Sequence, residues 1–466
     1  MPSPRLVVAG LSGGAGKTIV SLGIVASFRR MGKKVIPFKK GPDYIDAGWL
    51  ACAASHPCYN LDTFLSSKEQ AFSSFQKQAL DGDISLVEGN RGLYDGMDIH
   101  GTTSTAELAK LIKSPVLLVI DCTKSTRTIA ALVLGCIRFD PEIMIKGVIL
   151  NRIGGGRHEE IVRQSIEHYT GIKVVGAIPR LKSSIFPERH MGLVPQQESS
   201  DAEKAICISG DIAEKHLDID EILAISGSAP FLNYTDSTCS MEHSEKIHKV
   251  RIGVVRDSAF QFYYQENLDA LKECGADLVF ISALLDSSIP ELDALYIGGG
   301  FPETHAGVLA ANKSFREAVF RLAHNGLPIY AECGGLMYLG EKILMDGAEY
   351  PMCGVLPITF GLLKNPQAHG YTDLKVDRKN PIFDIGMRLH GHEFHYSKVV
   401  EWRGVHQDLA FKVERGRGIC GDRDGVCYKN VLATYSHILA LGFPEWTEGM
   451  IKSAYASRQF RLGARS

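Results

Sequence analysis

The sequence predicts an α/β protein with two parallel-sheet domains, and three observations carry that expectation. Between Arg5 and about Ile178, short β-branched runs alternate with helical stretches. A second alternation begins at KVRIGVV (249–255) and continues to VLATYSHI (431–438). Between the two the pattern loosens into the polar patch VPQQESSD (194–201), a helical pair over 201–226, and SGSAPFLNYTDSTCSMEHSEK (226–246), whose turn residues read as a linker. The expected organisation is a first domain over 1–180, a helical segment and linker over 181–249, and a second domain over 250–460.

In the first domain the strand candidates are RLVVA, KKVIPFK, ISLVE, PVLLVID, IKGVILN and IKVVGAI. Such apolar runs fit strands of a buried parallel sheet. The segments 17–30 and 158–170 are long enough for the crossover helices that parallel strands require. The second domain continues through ADLVFI, DALYIGGG, LPIYAECGG and a stretch rich in His and Gly. No internal repeat is visible.

Composition narrows the function. The chain has 466 residues, with 51 basic against 53 acidic and a net charge of −2. Neither sign gathers into a run, so neither nucleic acid nor a membrane surface is the expected partner; a small-molecule substrate is. The opening MPSPRLVVAG has no charged segment before an apolar stretch, and no apolar run approaches the roughly 20 residues of a membrane span. A soluble cytoplasmic protein is the expectation. The 11 cysteines include no C-x-x-C pair, which argues against a disulfide framework or a zinc ribbon. Cys420 and Cys427 read as thiols of a plain hairpin.

The stretch AGLSGGAGKTIVSLG (9–23) follows an apolar strand and reads as a phosphate loop: Gly10, Gly14, Gly16, Lys17 and Thr18. It departs by one position from G-x-x-x-x-G-K-[ST], because residue 11 is Leu. Glycines let backbone N–H groups close on phosphate oxygens, Lys17 adds a point charge, and Thr18 offers a hydroxyl to Mg²⁺. A magnesium site also needs carboxylates. Asp43 and Asp46 follow the second strand, Glu88 ends the third, and Asp95 lies nearby. The carboxyl ends of parallel strands share one edge, so all four acids belong on the nucleotide's side; any one alone would read as a solvated loop acid. Asn151, closing GVILN, either reads the nucleotide base or caps the next turn.

In the second domain IYAECGGLMYLG (329–340) runs from strand to helix with small residues two before and two after Cys333. This is the sharp elbow that exposes a nucleophile, and a helix N-terminus beneath a thiol is expected to lower its pKa. Upstream, Gly298, Gly299 and Gly300 end another strand. Gly299, Gly300 and Gly334 are the oxyanion candidates. A Cys nucleophile requires a base, and His437, after a late strand-like run, is the candidate. The cluster His390-x-His392-Glu393-x-His395 lacks helical i, i+4 spacing and a partner cluster, and reads as a substrate-facing loop rather than a zinc site.

Taken in order, the variant phosphate loop, KKGPDYID, VEGNRGLYDG, NRIGGGRH, PERHMGLV, GGGFPE, AECGG and GHEFHYS resemble the cobyrinic acid a,c-diamide synthase family over nearly the whole chain. The resemblance implies a dethiobiotin-synthetase-like ATP domain joined to a class I glutamine amidotransferase-like domain. It implies that Cys333 attacks glutamine and releases ammonia, while Mg-ATP activates carboxylates of a tetrapyrrole as acyl phosphates. It sets Asp43, Asp46 and Glu88 around magnesium and the activated carboxylate, and Tyr44 and Asp95 toward the tetrapyrrole. The implied partners are L-glutamine, ATP and a tetrapyrrole polycarboxylate; a homodimer is compatible with this reading, and the sequence does not set the oligomeric state.

The sequence departs from the pattern in three places. Class I amidotransferases carry a Glu two residues beyond the catalytic His, whereas Leu439 stands there, as the family itself generally has it, so His437 needs another orienting group. A second His two positions on is also absent. LLKNPQAHGYTDL (362–374) looks more like relatives that amidate sirohaem. Three readings follow: amidation of a corrinoid, the same chemistry on sirohaem or a metal-sirohydrochlorin, and an ATPase switch with a non-catalytic C-terminal binding domain.

Overall fold

The computed structural model describes residues 3–181, 188–189, 192–198, 201–232 and 249–463, with the backbone alone at 188–189 and 192–193. Most of the expected linker, 233–248, and part of PERHMGLV lie outside the described residues. The chain divides into two compact units, Met1–Thr63 with Ser67–Cys239, and Phe64–Ser66 with Ser240–Ser466.

The first unit is built on seven strands: β1 (Arg5–Gly10), β2 (Val35–Lys40), β3 (Tyr59–Leu61), β4 (Ile84–Glu88), β5 (Val116–Asp121), β6 (Ile145–Ile153) and β7 (Val174–Pro179). They lie in the order β3-β2-β4-β1-β5-β6-β7, and every pairing is parallel. Successive side chains of β1 point to opposite faces: Val7 and Ala9 join a core with Phe38 and Leu118, while Leu6 and Val8 join another with Leu22 and Val119. Both faces are therefore dry, which is why the strands read as unbroken apolar runs. Only β3 escaped the sequence reading, since three residues are too few to show a period.

Helix α1 (Lys17–Arg30) follows the phosphate loop and α2 (Ile45–Ala54) follows β2. The expected helical pair is present as Ala202–His216 and Ile219–Gly227, the second capped by Asp218, whose carboxylate accepts from Glu221 N. The first helix of that pair packs closely on α1, because a Cβ on Gly23 would lie 2.6 Å from Ser209 O.

The second unit holds a ten-stranded sheet. Its first five strands, Ala276–Ile281, Val250–Val255, Ala294–Ile297, Ile329–Glu332 and Val431–Thr434, are parallel neighbours. From there the sheet turns antiparallel through Arg423–Tyr428, Leu409–Arg415, Ala368–Val376, Arg388–His395 and His437–Ile438. A four-stranded sheet containing Ile358–Leu362 packs alongside, sharing its core with Leu336 and Tyr435. Because the parallel strands end together, Gly298, Cys333 and Tyr435 leave the sheet at one edge. Among the described residues, no helix is long and apolar enough to cross a membrane.

Candidate active sites

The phosphate loop runs from the end of β1 into α1 with Gly14 at φ 74° and Gly16 at φ 95°, left-handed positions that a side chain would strain. At Gly16 space forbids a side chain as well, since a Cβ would lie 2.1 Å from Asn151 Nδ2. Asn151 Nδ2 donates to Ala15 O at 2.8 Å and its Oδ1 accepts from Arg152 N at 2.9 Å. Its amide braces the phosphate loop and caps the turn that follows.

Lys17 is buried, with Nζ donating to Arg91 O at 2.7 Å and Ser12 O at 3.2 Å. Burial holds its ammonium below the ordinary value, against the pull of Glu88. The loop after β4 thus lies against the phosphate loop, and Leu93 N also donates to Gly10 O at 2.7 Å. Asp95 closes this second loop, its Oδ2 accepting from Gly92 N at 2.8 Å.

Around Glu88 a polar cluster is assembled from three strand ends. Glu88 Oε1 accepts from Thr18 Oγ1 at 2.9 Å and from Lys39 Nζ at 2.7 Å. Lys39 also donates to Asp46 Oδ2 at 2.6 Å, and Asp46 N donates to Asp43 Oδ1 at 2.8 Å. Burial raises the Glu88 carboxyl above its ordinary range, and burial followed by Asp46 raises Asp43 to about 7. Lys39 is raised too; burial opposes this, but the Asp46 and Glu88 carboxylates outweigh it. The sequence reading missed Lys39, whose signal is the first of two lysines closing an apolar strand. Asn60, which holds Gly41 O at 2.8 Å and Asp43 O at 3.1 Å, was missed as well.

The fit to magnesium rests on one orphaned atom. Glu88 Oε2 is buried without a hydrogen-bond partner among the described residues, beside the Thr18 hydroxyl. One carboxylate and one hydroxyl suit a magnesium ion that completes its shell with phosphate oxygens and water. Asp46 is turned instead to Lys39, and Asp43 to the first turn of α2, where half-buried Tyr44 precedes it. Among the described residues no group of three or more His, Cys, Asp or Glu is placed to hold a metal ion. His390 Nδ1 faces Asp373 Oδ1 at 2.6 Å, on a strand rather than a loop.

In the second unit Cys333 sits between strand Ile329–Glu332 and helix Gly334–Leu339 at φ 47° and ψ −98°, a left-handed kink unusual for a residue with a side chain. The kink is held on both sides: Cys333 N donates to Thr434 O at 2.8 Å, and Met337 N donates to Cys333 O at 3.0 Å. Backbone strain of this kind concentrates at functional sites. Gly334 lets the elbow close on the glycine loop, since a Cβ there would lie 3.0 Å from both Gly300 N and Gly300 O. His437 reaches the same loop, with Cε1 2.5 Å from the position a Cβ on Gly299 would take. Cys333, His437, Gly299, Gly300 and Gly334 are therefore brought together. Gly298 is committed elsewhere, its N–H donating to Tyr263 Oη at 2.7 Å.

One expectation for the thiol is overturned. Burial pushes Cys333 up from the ordinary thiol value, and the Gly334 N–H that opposes the shift is the weaker influence. The helix beneath it has six residues, so its field is small, and the Sγ donates weakly to Phe394 O at 3.9 Å. A thiol held up in this way needs a base to lose its proton.

Asp424, invisible to the sequence reading, shapes the approach to His437. Fully buried, it accepts from Thr434 Oγ1 at 2.7 Å, Gly425 N at 2.7 Å, Tyr435 N at 3.1 Å and Ser436 N at 3.3 Å. Burial raises it to about 6 despite these donors. A carboxyl raised in the fold contributes stability below its unfolded pKa and loses it as pH rises through the folded value. Relative to Asp424→Asn, the wild type should lose on the order of 2 kcal/mol between pH 4.5 and 7. Urea unfolding at both pH values checks this, and a pH-independent difference would refute it.

Residues 6–194 match the CobQ/CobB/MinD/ParA nucleotide binding domain model, and 251–444 match the CobB/CobQ-like glutamine amidotransferase domain model. A protein of Archaeoglobus fulgidus named cobyrinate a,c-diamide synthase is 41% identical over 97% of this chain and 98% of its own. This chain belongs to the cobyrinate a,c-diamide synthase family. Proteins of the same name from Magnetococcus marinus and Dehalococcoides mccartyi share 39% identity over 95% of this chain and 40% over 94%, each with 95% of its own length covered. As in that family, a nucleotide-binding unit and a glutamine amidotransferase unit stand on one chain, and the kinked cysteine falls in the second.

Proposed function

We propose that this protein uses ATP and glutamine to amidate the a and c acetate side chains of cobyrinic acid. The observation that carries the reading is the kinked, buried Cys333 whose neighbour Gly334 closes on the glycine loop that His437 also reaches, on the same chain as a phosphate loop joined to a buried carboxylate. An ATPase switch has no use for the first of these. The names of the relatives favour a cobyrinate acceptor over sirohaem.

In the second unit His437 takes the Cys333 proton as the sulfur attacks the glutamine amide carbon. The Gly299, Gly300 and Gly334 amides stabilise the oxyanion. The protonated His437 returns its proton to the leaving nitrogen, ammonia departs, and water attacks the thioester to give glutamate. In the first unit an acceptor carboxylate oxygen attacks the γ-phosphorus of ATP and ADP leaves. Ammonia then attacks the acyl carbon of the resulting acyl phosphate, and phosphate leaves. Amidation needs this activation because a carboxylate has no adequate leaving group.

Lys17 and the phosphate-loop amides hold the triphosphate, exchanging the Arg91 and Ser12 carbonyls for phosphate oxygens. Thr18 and Glu88 would hold magnesium, which when bound neutralises phosphate charge. Lys39 orients Glu88 and Asp46, and Asp43, Tyr44 and Asp95 line the acceptor side.

Incubation with cobyrinic acid, ATP and glutamine should give two successive mass losses of about one unit, one for each hydroxyl replaced by an amine. A product retaining phosphate, or a single amide with no further turnover, contradicts the diamide reading. Turnover of sirohaem but not cobyrinic acid would reassign the acceptor.

A further inference from the structure

We infer that Glu332, the residue immediately before the nucleophile, is the positioning carboxylate of His437. This rests on the glutaminase reading above and deepens it. The position two beyond His437 is Leu439, fully buried and apolar, so the carboxylate cannot come from there. Glu332 Oε2 faces His437 Nδ1 at 3.4 Å, and both residues are buried, at 1% and 2% exposure.

The carboxylate is itself fixed by three further donors. Tyr330 Oη donates to Oε1 at 3.0 Å, Ile438 N donates to Oε1 at 3.1 Å, and Tyr296 Oη donates to Oε2 at 3.1 Å. The two phenols, the Ile438 N–H and the His437 ring thus meet one buried carboxylate, which has acceptor sites for all four. A carboxylate oxygen accepting at Nδ1 requires the proton on that nitrogen and leaves Nε2 as the base. Nε2 lies on the side of the glycine loop, 3.2 Å from where a Cβ on Gly299 would stand.

Backbone geometry explains how a neighbour of the nucleophile can do this. Successive strand side chains point to opposite faces, so Glu332 turns away from the face Ala331 serves. The elbow then throws Cys333 out beyond the sheet edge, while Ile438, next to the base, is tied to Glu332 through its own N–H. One residue thereby registers the nucleophile's strand against the base's strand. The other titratable groups around the pair include Cys333, His392 opposite His437 in the ladder, the Tyr263 phenol packed on Tyr296, and the phenols of Tyr296 and Tyr330. Burial and Glu332 raise both phenols, so they stay neutral donors.

Glu332→Gln keeps the shape and removes the charge. Its glutaminase kcat should fall about 10- to 1,000-fold with little change in KM for glutamine, because His437 loses its tautomer and the stabilisation of its protonated form. The acid limb of the kcat/KM profile should move to lower pH, since an imidazolium without a neighbouring anion gives up its proton more readily. Ammonia-dependent amidation should stay at the wild-type rate. Glu332→Asp, which keeps the charge but draws it back by one methylene, should lower kcat while holding the acid limb near the wild-type position. It supplies the test if the Gln variant does not fold. Wild-type kcat and pH profile in either variant would overturn the inference and leave the glutaminase reading intact. A wild-type protein that hydrolyses no glutamine would overturn both.

Discussion

Cys333→Ser should lose at least about a thousandfold of the glutamine-dependent amidation while continuing to make diamide from ammonium at raised pH. The thioester route needs a nucleophile that can be deprotonated beside His437, and a serine hydroxyl ionises far less readily than even a thiol raised by burial. Free ammonia bypasses that step, because the acyl phosphate forms at the other unit and reacts with any amine that reaches it. Product is measured by mass with each nitrogen source. If both activities vanished in a folded protein that still binds ATP, the C-terminal unit would do more than supply nitrogen. If both survived, Cys333 would have no catalytic part and the binding-module alternative would return.

The complementary result is expected for Lys17→Ala and Glu88→Gln, which should abolish amidation with either nitrogen source by two orders of magnitude or more, since phosphoryl transfer rests on positioning and charge neutralisation at these groups. Glu88→Gln has a second consequence. Lys39 is buried between Glu88 and Asp46, so removing one carboxylate leaves the ammonium with a single close anionic partner and lowers its pKa. Glutamine hydrolysis should largely persist in both variants. Normal ammonia-dependent synthesis by either would show that the phosphate loop is not where the carboxylate is activated.

Much of this was legible in the sequence. The phosphate loop, the cysteine elbow and the glycine run each occupy consecutive residues at the end of a strand, so their local order is their geometry. Asp43 and Asp46 follow the second strand as read, yet the partner that holds Asp46, Lys39, stands near the end of that same strand and looked like one more lysine. The thiol's acidity was misread because a short helix was weighed without the burial around it. Burial depends on residues such as Tyr435 and Leu336, far apart in the chain and packed in the same core.

By itself, then, the sequence determined the two α/β units and the reaction chemistry, because apolar period and contiguous motifs are local properties of the chain. Only the tertiary structure decided which charges face one another. Glu332 and His437 are 105 residues apart, Thr18 and Glu88 are 70 apart, and Asn151 crosses 136 residues to brace Ala15. Those pairings depend on which strands lie side by side in a sheet, and sheet order is set by the packing of whole elements rather than by the residues that meet there.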